Sequence, residues 1–469
     1  MDAIKPAQIA VMIPIIGVAP EATASEIDNG MEMSETVSPD FRLSLIFFNS
    51  IFFKLTLMVL HFQDSNWFLC NIIQQHYFIS KNSKIDNMQK DVYQRSLELH
   101  KLHHGKIETV SKVKLNTREV LALAYTPGVA EVSREIGRDA SLAREYTLKR
   151  NTIAIVSDGS AILGLGNLGA LAAIPVMEGK AAIFKEFAGV DAFPICLDTQ
   201  DTEEIIKAVK QIAPVFGGIN LEDISAPRCF EIEKRLRAEM SIPVMHDDQW
   251  GTATVVLAGM INSLKLMNIT KDAVKVVING VGSAGVATAR LMMSYGIKNI
   301  LFCDSQGIIH AGRAELTAEK QELIDSSVAK SFEGTLADAV KGANIFVGVS
   351  KPGVLTQDMV RTMAPKPVIF ALSNPQPEIL PDEALAAGAL AVATGRSDFP
   401  NQLNNSLVFP GVFKGMLEAN IPQFKIEMFS SVAQALADSV VDLSPTKILP
   451  SMFESRVVTV VSETVKKFA

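Results

Sequence analysis

The chain has 469 residues, 48% of them hydrophobic and 20% charged, which reads as a globular protein with room for two or three domains with sizeable cores. A formal net charge of -7 without a basic patch excludes the electrostatic footprint that a nucleic-acid binder needs. Cys70, Cys196, Cys229 and Cys303 lie far apart with no CxxC pair, so they read as reduced core thiols in a reducing compartment, taken as the cytoplasm with an organelle left open.

Residues 1–87 differ from the rest. Glu21, Glu26, Asp28, Glu32, Glu35 and Asp40 stand against a single Lys5 in the first forty positions, the reverse of an Arg-rich, acid-poor transit peptide. Ala10 to Val18 before Ala22-Thr23-Ala24 only faintly resembles a signal peptide, because Pro14 and the acidic flank interrupt it. Phe41 to Phe62 has the length of a bilayer span, yet Lys54 and Asn49 fall inside it, and a centred Lys costs roughly 3 kcal/mol. Residues 1–87 are therefore read as an extension: disordered, a weak membrane segment, or an overlong start before Met88.

From Met88 the pattern is regular. Val92, Leu97, Leu99 and Leu102 form an incomplete apolar stripe closed by His103-His104-Gly105-Lys106, a helix with a cationic C-terminus. Thr117 to Leu123 predicts a second helix, after which the Pro127-Gly128 turn would hold Tyr125 at the end of an element. A phenol there can donate a proton from an apolar pocket, or simply fill space. Thr152 to Val156 predicts a buried strand opening into Gly164-Leu-Gly-Asn-Leu-Gly169, which spells GxGxxG but has no acid after a second strand. We read it as a backbone-lined loop near the substrate. Lys180 precedes Ala181-Ala-Ile-Phe184, read as an apolar strand; such a lysine is either a snorkelling surface residue or a base with a lowered pKa. Ile195 to Asp198 and a helix from Thr202 to Ile212, capped by Asp201, continue the βα alternation.

Gly217 to Ile224 predicts a strand ending in Glu222-Asp223, and Ile242 to Met245 another ending in His246-Asp247-Asp248. On an extended segment Asp247 and Asp248 would face opposite ways and serve two centres. Glu222, Asp223 and Asp248 make an all-oxygen trio suited to Mg²⁺ or Mn²⁺. Ala253 to Met267 predicts a helix, Ala273 to Asn279 a strand, Gly280-Val-Gly-Ser-Ala-Gly285 a turn, and Val286 to Met293 a helix. The next strand, Asn299 to Cys303, ends at Asp304, 24 positions after Gly280, so this GxGxxG has the strand, helix and acid that a dinucleotide site requires. Gly280, Gly282, Ser283, Ala284 and Gly285 would line the pyrophosphate. Asn374 and Asn404-Asn405 fall in loops where amides could hold a carboxylate or merely be solvated. The fold class is α/β: an N-terminal α/β catalytic domain over 88–250, then a Rossmann-like doubly wound dinucleotide-binding domain with C-terminal helices over 251–469.

In order along residues 88–469, Tyr125-Thr-Pro-Gly-Val-Ala130, Gly164 to Gly169, Glu178-Gly-Lys180, Phe187-Ala-Gly-Val-Asp191, Asn220-Leu-Glu-Asp223, His246 to Thr252, Asn279 to Gly285 and Ser373-Asn-Pro375 resemble the malic enzymes, in their shorter bacterial-type form. The resemblance implies NAD or NADP with Mg²⁺ or Mn²⁺, oxidation of L-malate to pyruvate, and a homodimer. It implies Lys180 as general base with Asp247 beside it and Tyr125 as general acid. It further implies Glu222, Asp223 and Asp248 on the metal, Asn374 and Asn405 at substrate and nicotinamide, and Asp304 at the cofactor. One departure stands out: larger malic enzymes carry Glu-Arg where this chain has Ser160-Ala161, so a guanidinium that clamps a malate carboxylate is missing.

A base, an acid, a metal trio and a dinucleotide turn together favour oxidative decarboxylation of malate. A malolactic reaction that retains the cofactor and releases lactate uses the same groups, and a catalytically silent nucleotide sensor ranks below both. Asp304 suits a ribose hydroxyl, whereas Arg313 nearby suits a 2′-phosphate, which leaves NAD and NADP both open.

Overall fold

The computed structural model describes residues 91–314, 316–326 and 331–469. The extension 1–87 and its membrane candidate lie outside them. Among the described residues no helix is long and apolar enough to cross a membrane. The chain divides after Leu99, and the second unit, His100–Ala469, carries both sheets and every site described below.

Residues 91–103 form the expected first helix, α1. Next come α2 (Arg118–Ala124), capped by the Thr117 side chain, and α3 (Val129–Arg138). A first sheet follows, made of β1 (Thr152–Ser157), β2 (Asp191–Cys196), β3 (Gly218–Leu221) and β4 (Val244–His246), all parallel in the order β2-β1-β3-β4. Between these strands run α4 (Ala170–Ile183), α5 (Thr202–Ile212) and α6 (Arg228–Glu239). Asp201 caps α5, its side chain accepting from the Glu204 amide.

Two local expectations are corrected. Ala181 to Phe184 is helical, the end of α4 and the start of a π-turn over Phe184–Ala188, so Lys180 sits in a helix's last turn. A four-residue apolar run has no period long enough to separate a buried strand from a buried helix, and the Ala-rich segment before it continues helically. Asp247 and Asp248 are also helical. They open α7 (Asp247–Met267), with His246 extended at its N-cap, where two acids complement the positive end of the helix dipole. The two side chains still diverge, through the 100° step of a helix and not the flip of a strand.

The second sheet holds β5 (Val276–Asn279), β6 (Ile300–Asp304), β7 (Gly307–Ile308), β8 (Ile345–Gly348), β9 (Val368–Ala371) and β10 (Ala391–Thr394). Its order is β10-β9-β8-β5-β6-β7, parallel except for the β6–β7 pair. The chain reverses direction across the sheet between β5 and β8, the topological switch point at which doubly wound folds bind dinucleotides. Helix α8 (Ser283–Tyr295) follows β5 directly, and α9 (Ala318–Ser326) follows the β6–β7 hairpin.

One core joins the two sheets. Helix α7 buries 16 of its 21 residues, as a helix apolar on every face must. Its Val255 to Ile261 segment belongs to the same cluster as Ile153 and Ile155 of β1, Ile278 of β5 and Phe370 of β9. The C-terminal helices α10 (Phe409–Ala419), α11 (Ile426–Asp438) and α12 (Arg456–Lys466) supply Phe409, Phe413 and Phe429 to it. Trp250 stacks on Phe429 at 5.1 Å between ring centroids, which anchors the first turn of α7. The carboxyl ends of β1, β3 and β4 are thereby held against one rigid wall.

Candidate active site

At those strand ends four carboxylates meet one ammonium. Lys180, buried in α4, donates to Asp247 Oδ2 at 2.5 Å and lies 2.6 Å from Glu222 Oε1. Its Nζ stands over the Phe409 ring, 4.3 Å from the centroid. Glu222 directly follows β3 and is oriented by the Asn220 side-chain amide, which donates to Oε2 at 2.9 Å. Asp223 takes the left-handed backbone conformation, φ +52°, unusual for a non-glycine residue. It is pinned there because its own N–H donates to Asp248 Oδ2 (2.8 Å) and its carbonyl accepts from the Ala161 N–H (3.0 Å).

Glu222, Asp223 and Asp248 each offer an oxygen within 4.8 Å of the others. The site fits a hard divalent cation: the donors are all carboxylate oxygens, and Asp223 Oδ2 is buried without a hydrogen-bond partner. The electrostatics agree. Burial, reinforced by the neighbouring Asp248, pushes the Asp223 carboxyl up to about 7. Burial also raises Asp247 to about 6 against the opposing pull of Lys180, and lifts Glu222 well above the usual carboxylate range. For Lys180 burial disfavours the charge, but Asp247, Glu222 and Asp248 outweigh it and hold the ammonium above its ordinary pKa. Four acids around one base leave an excess of negative charge that a dication would largely offset.

The glycine of the His246 to Thr252 stretch has a steric reason. A Cβ on Gly251 would lie 1.9 Å from Asp247 Oδ1 and 3.0 Å from the Asn405 Cβ, so only glycine lets Asp247 and Asn405 share that face of α7. Asn405 is thus brought to the site. The loop Gly164 to Gly169 lies against it too: the Ala161 N–H just before it donates to the Asp223 carbonyl, and Gly164 packs on the Asn374 carbonyl. That matches the expectation of a backbone-lined loop, and it brings Asn374, just beyond β9, to the same end of the sheets.

The dinucleotide turn is equally close-fitting. A Cβ on Gly285 would stand 1.8 Å from the Gly280 carbonyl, and the Gly280 N–H donates to the Cys303 carbonyl at 2.9 Å, tying the turn to the end of β6. Gly282 is the N-cap of α8 with no side-chain cap, so the first amides of the helix, from Ser283 and Ala284, are available to an anion.

Two functional acids were missed in the sequence. Buried Glu233 on α6 accepts from the His246 N–H (3.0 Å), the Gln249 amide (3.1 Å) and the Trp250 indole (3.1 Å), and so fixes the segment that carries Asp247 and Asp248. Its signal was visible: Cys229, Ile232 and Leu236 make the buried stripe of α6, and Glu233 stands in that stripe. Glu378, fully buried, accepts from the Ser350 and Ser373 N–H groups (2.9 and 3.0 Å) and joins the loops after β8 and β9 beside Asn374. Nothing in its loop marked it.

Residues 104–237 match the malic enzyme N-terminal domain and residues 250–469 the malic enzyme NAD-binding domain. The chain belongs to the malic enzyme family. It is 48% identical to the bifunctional malic/malolactic enzyme of Bacillus subtilis, over 80% of this chain and 92% of that one. It is 52% identical to the NAD-dependent malic enzyme of Geobacillus stearothermophilus, over 78% of this chain and 77% of the relative. The crystal structure of the NAD-dependent malic enzyme from Thermotoga maritima superposes with a TM-score of 0.77 at 47% identity, covering 79% of this chain and 98% of that one. The NADP-dependent malic enzymes of Haemophilus influenzae and Escherichia coli also match, at 45% and 42% identity, and the chain spans about half the length of these two. As a family member the protein is an NAD(P)-dependent, decarboxylating malate dehydrogenase.

Where larger malic enzymes carry Glu-Arg, Ser160 is tied into a buried cluster. Its hydroxyl donates to Asp158 Oδ1 (2.6 Å) and accepts from the Ser225 N–H (2.9 Å) and Arg228 (3.0 Å). Arg228 also pairs with Asp158 (2.8 Å) and bonds the Gln200 carbonyl and the Ser225 hydroxyl, so its guanidinium is engaged in holding the loop. Tyr125, by contrast, is not gathered into the cluster. It caps α2 at its C-terminus and is 66% exposed, and neither α2 nor α3 buries a single residue within this chain.

Proposed function

We propose that, in the NAD(P)-linked oxidative decarboxylation of L-malate to pyruvate and carbon dioxide, Lys180 takes the proton from the C2 hydroxyl as hydride leaves C2. The observation that carries this is the Lys180 Nζ lying within 2.6 Å of both Asp247 and Glu222, which puts the base in contact with a member of the carboxylate trio. When bound, a divalent cation on Glu222, Asp223 and Asp248 supplies the Lewis acid for loss of carbon dioxide, and the nicotinamide accepts the hydride. Two of the carboxylates that keep Lys180 charged, Glu222 and Asp248, belong to that trio. Loading it removes their pull and lets the amine act as a base. Asp247 orients the amine. Asn374 and Asn405 donate amide hydrogens to substrate and nicotinamide, and Gly280, Gly282, Ser283, Ala284 and Gly285 cradle the pyrophosphate, with Asp304 at the adenosine end. Residues 88–250 form the catalytic half and 251–469 the dinucleotide half.

Tyr125 then protonates C3 of the enol to give pyruvate. Its helix has no buried face, and Leu123, Leu163, Leu165, Leu168 and Leu171 are all exposed, large apolar side chains of the kind that interfaces cover. A second copy of the chain covering these helices as a homodimer would put Tyr125 in an enclosed setting. The working location is the cytoplasm. The test is to purify the chain and follow nicotinamide reduction with L-malate and Mn²⁺ while assaying pyruvate. Metal-dependent reduction matched by pyruvate is expected; lactate without net reduction selects the malolactic reaction instead, and no product of either kind overturns the reading.

A further inference from the structure

One buried acid has no part in the chemistry so far. Among the described residues every other buried carboxylate has a counter-charge or a place in the metal trio. Asp247 and Glu222 share Lys180, Asp158 pairs with Arg228 at 2.8 Å, Glu233 lies 3.9 Å from Arg237, and Asp223 belongs to the trio. Glu378, fully buried in the segment after β9, has neither. Burial raises its carboxyl above the ordinary range, and only backbone N–H groups oppose that; no charged side chain acts on it. Both oxygens accept, Oε1 from the Ser350 N–H at 2.9 Å and Oε2 from the Ser373 N–H at 3.0 Å. Two inward-facing donors call for a group that only accepts, and the ionised carboxylate is that group. The place is shaped for it: a Cβ on Gly348, the last residue of β8, would stand 2.4 Å from Glu378 Cδ.

The charge lies at the switch point of the second sheet. Ser350 follows β8, and its hydroxyl accepts from the Asn279 side-chain amide at 2.7 Å. A Cβ on Gly280 would lie 2.5 Å from the Val349 carbonyl and 3.1 Å from the Ser350 Cβ, so the dinucleotide turn rests on the loop that Glu378 holds. On the other side Ser373 leads into Asn374, whose carbonyl packs on Gly164. Glu378 thus ties together two loops at the strand ends where a dinucleotide binds. Burying an ionised carboxylate without a counter-ion is costly, and its field, unscreened by any side-chain cation, acts on whatever positive group enters the crevice. The oxidised nicotinamide ring is a cation. The reduced ring is neutral.

We propose that Glu378 is a positioning residue that also sets the charge of the crevice: it holds Ser350 and Ser373 in register and favours the oxidised, cationic nicotinamide over the reduced, neutral one. The proposal rests on the malic enzyme reading and adds a direction to it, because the cofactor that enters is held more firmly than the one that leaves.

The test is equilibrium binding to the full chain, without malate or metal. NAD⁺, NADH, NADP⁺ and NADPH are titrated by calorimetry, with ADP-ribose, which lacks the nicotinamide ring, as the control. In whichever pair binds, the parent is expected to hold the oxidised form at least as tightly as the reduced. Glu378→Gln keeps the size and loses the charge, and is expected to shift the ratio of the two affinities roughly five- to tenfold toward the reduced form. Glu378→Asp keeps the charge and is expected to hold the parent ratio within about twofold even as both affinities fall. Retained ADP-ribose binding reports a folded crevice; if the Gln variant loses it, the parent's preference alone decides. A parent that binds the reduced form more tightly, or a folded Gln variant that weakens both forms equally, overturns the proposal while leaving the dinucleotide site intact. If no nucleotide binds the parent, the proposal and the dinucleotide site both fail. Failure of the malic enzyme reading shows separately, as no pyruvate from L-malate and Mn²⁺ with either NAD⁺ or NADP⁺.

Discussion

The two sheets end in two acidic clusters that are electrostatic opposites. At the first sheet, Glu222, Asp223, Asp247 and Asp248 surround a single Lys180, and burial pushes the carboxyls of Glu222, Asp223 and Asp247 upward. At the second, a single Asp304 is shared by Arg313 and Lys320 and its carboxyl is pressed down to about 2. The difference lies in the count of charges: each cluster is left one or more charges short of neutrality, in opposite directions. The first is therefore short of positive charge and the second short of negative charge. A buried carboxylate is not a functional statement until its counter-charges are counted.

The largest effect should come from removing the one cation of the first cluster. Lys180→Ala is expected to lower kcat by about 10³-fold, the range of a lost general base, with Mn²⁺ binding preserved or strengthened because the trio loses its competitor. Turnover near the parent's would sink the base assignment. Next is the pH dependence of the metal-free protein. The folded Asp223 carboxyl, at about 7, lies above its unfolded value near 3.8, so the folded state holds that proton longer. Stability is then expected to fall as pH rises from about 4 to 7 and to level off above, by at most about 4 kcal/mol. Urea melts in EDTA would show it, Asp223→Asn should flatten the slope, and Mn²⁺ should stabilise far more at pH 8 than at pH 5. A flat parent profile would mean that the trio is not strained without its ion. Smaller again is Glu233→Gln. One acceptor survives, but an amide now faces the donors of Gln249 and Trp250. The expected loss is about tenfold in Mn²⁺ affinity, with a raised KM for malate and kcat less affected; an unchanged affinity would reduce Glu233 to a core filler.

What could be read from the sequence was whatever depends on neighbours along the chain. The Gly280 turn, its strand and its acid are local, and Glu222-Asp223 and His246-Asp247-Asp248 each close a short apolar run, so strands, turn and trio were all legible. Ala181 to Phe184 misled because four apolar residues cannot set a period, and Asp247-Asp248 because a helix that begins at its acids looks like the strand before it continuing. Glu233 meets residues 13 to 17 positions away, and Asp304 finds Lys320 only after a hairpin and a helix start intervene. Those partners are set by the sheet, not by the spacing. Tyr125 is the extreme case: its helix is complete in sequence and cap, yet what would enclose it lies outside the single chain.

The smallest expected effect sharpens the comparison most directly, because it reverses the pH sign. Asp304 has a folded carboxyl at about 2, below the ordinary unfolded value of 3.8, so its contribution is present above about pH 4 and is lost as pH falls toward 2. That is the mirror image of Asp223. Asp304→Asn keeps one acceptor oxygen but turns an amide toward a cation. Because Arg313 and Lys320 remain partly in contact with water, their attraction is screened, and the expected cost at pH 7 is only about 1 kcal/mol. Urea denaturation of parent and variant at pH 7 and at pH 3 should show the gap narrowing in acid. Were it to widen, the carboxylate would not be the acceptor of two cations, and the positive surplus that distinguishes the second cluster from the first would be gone.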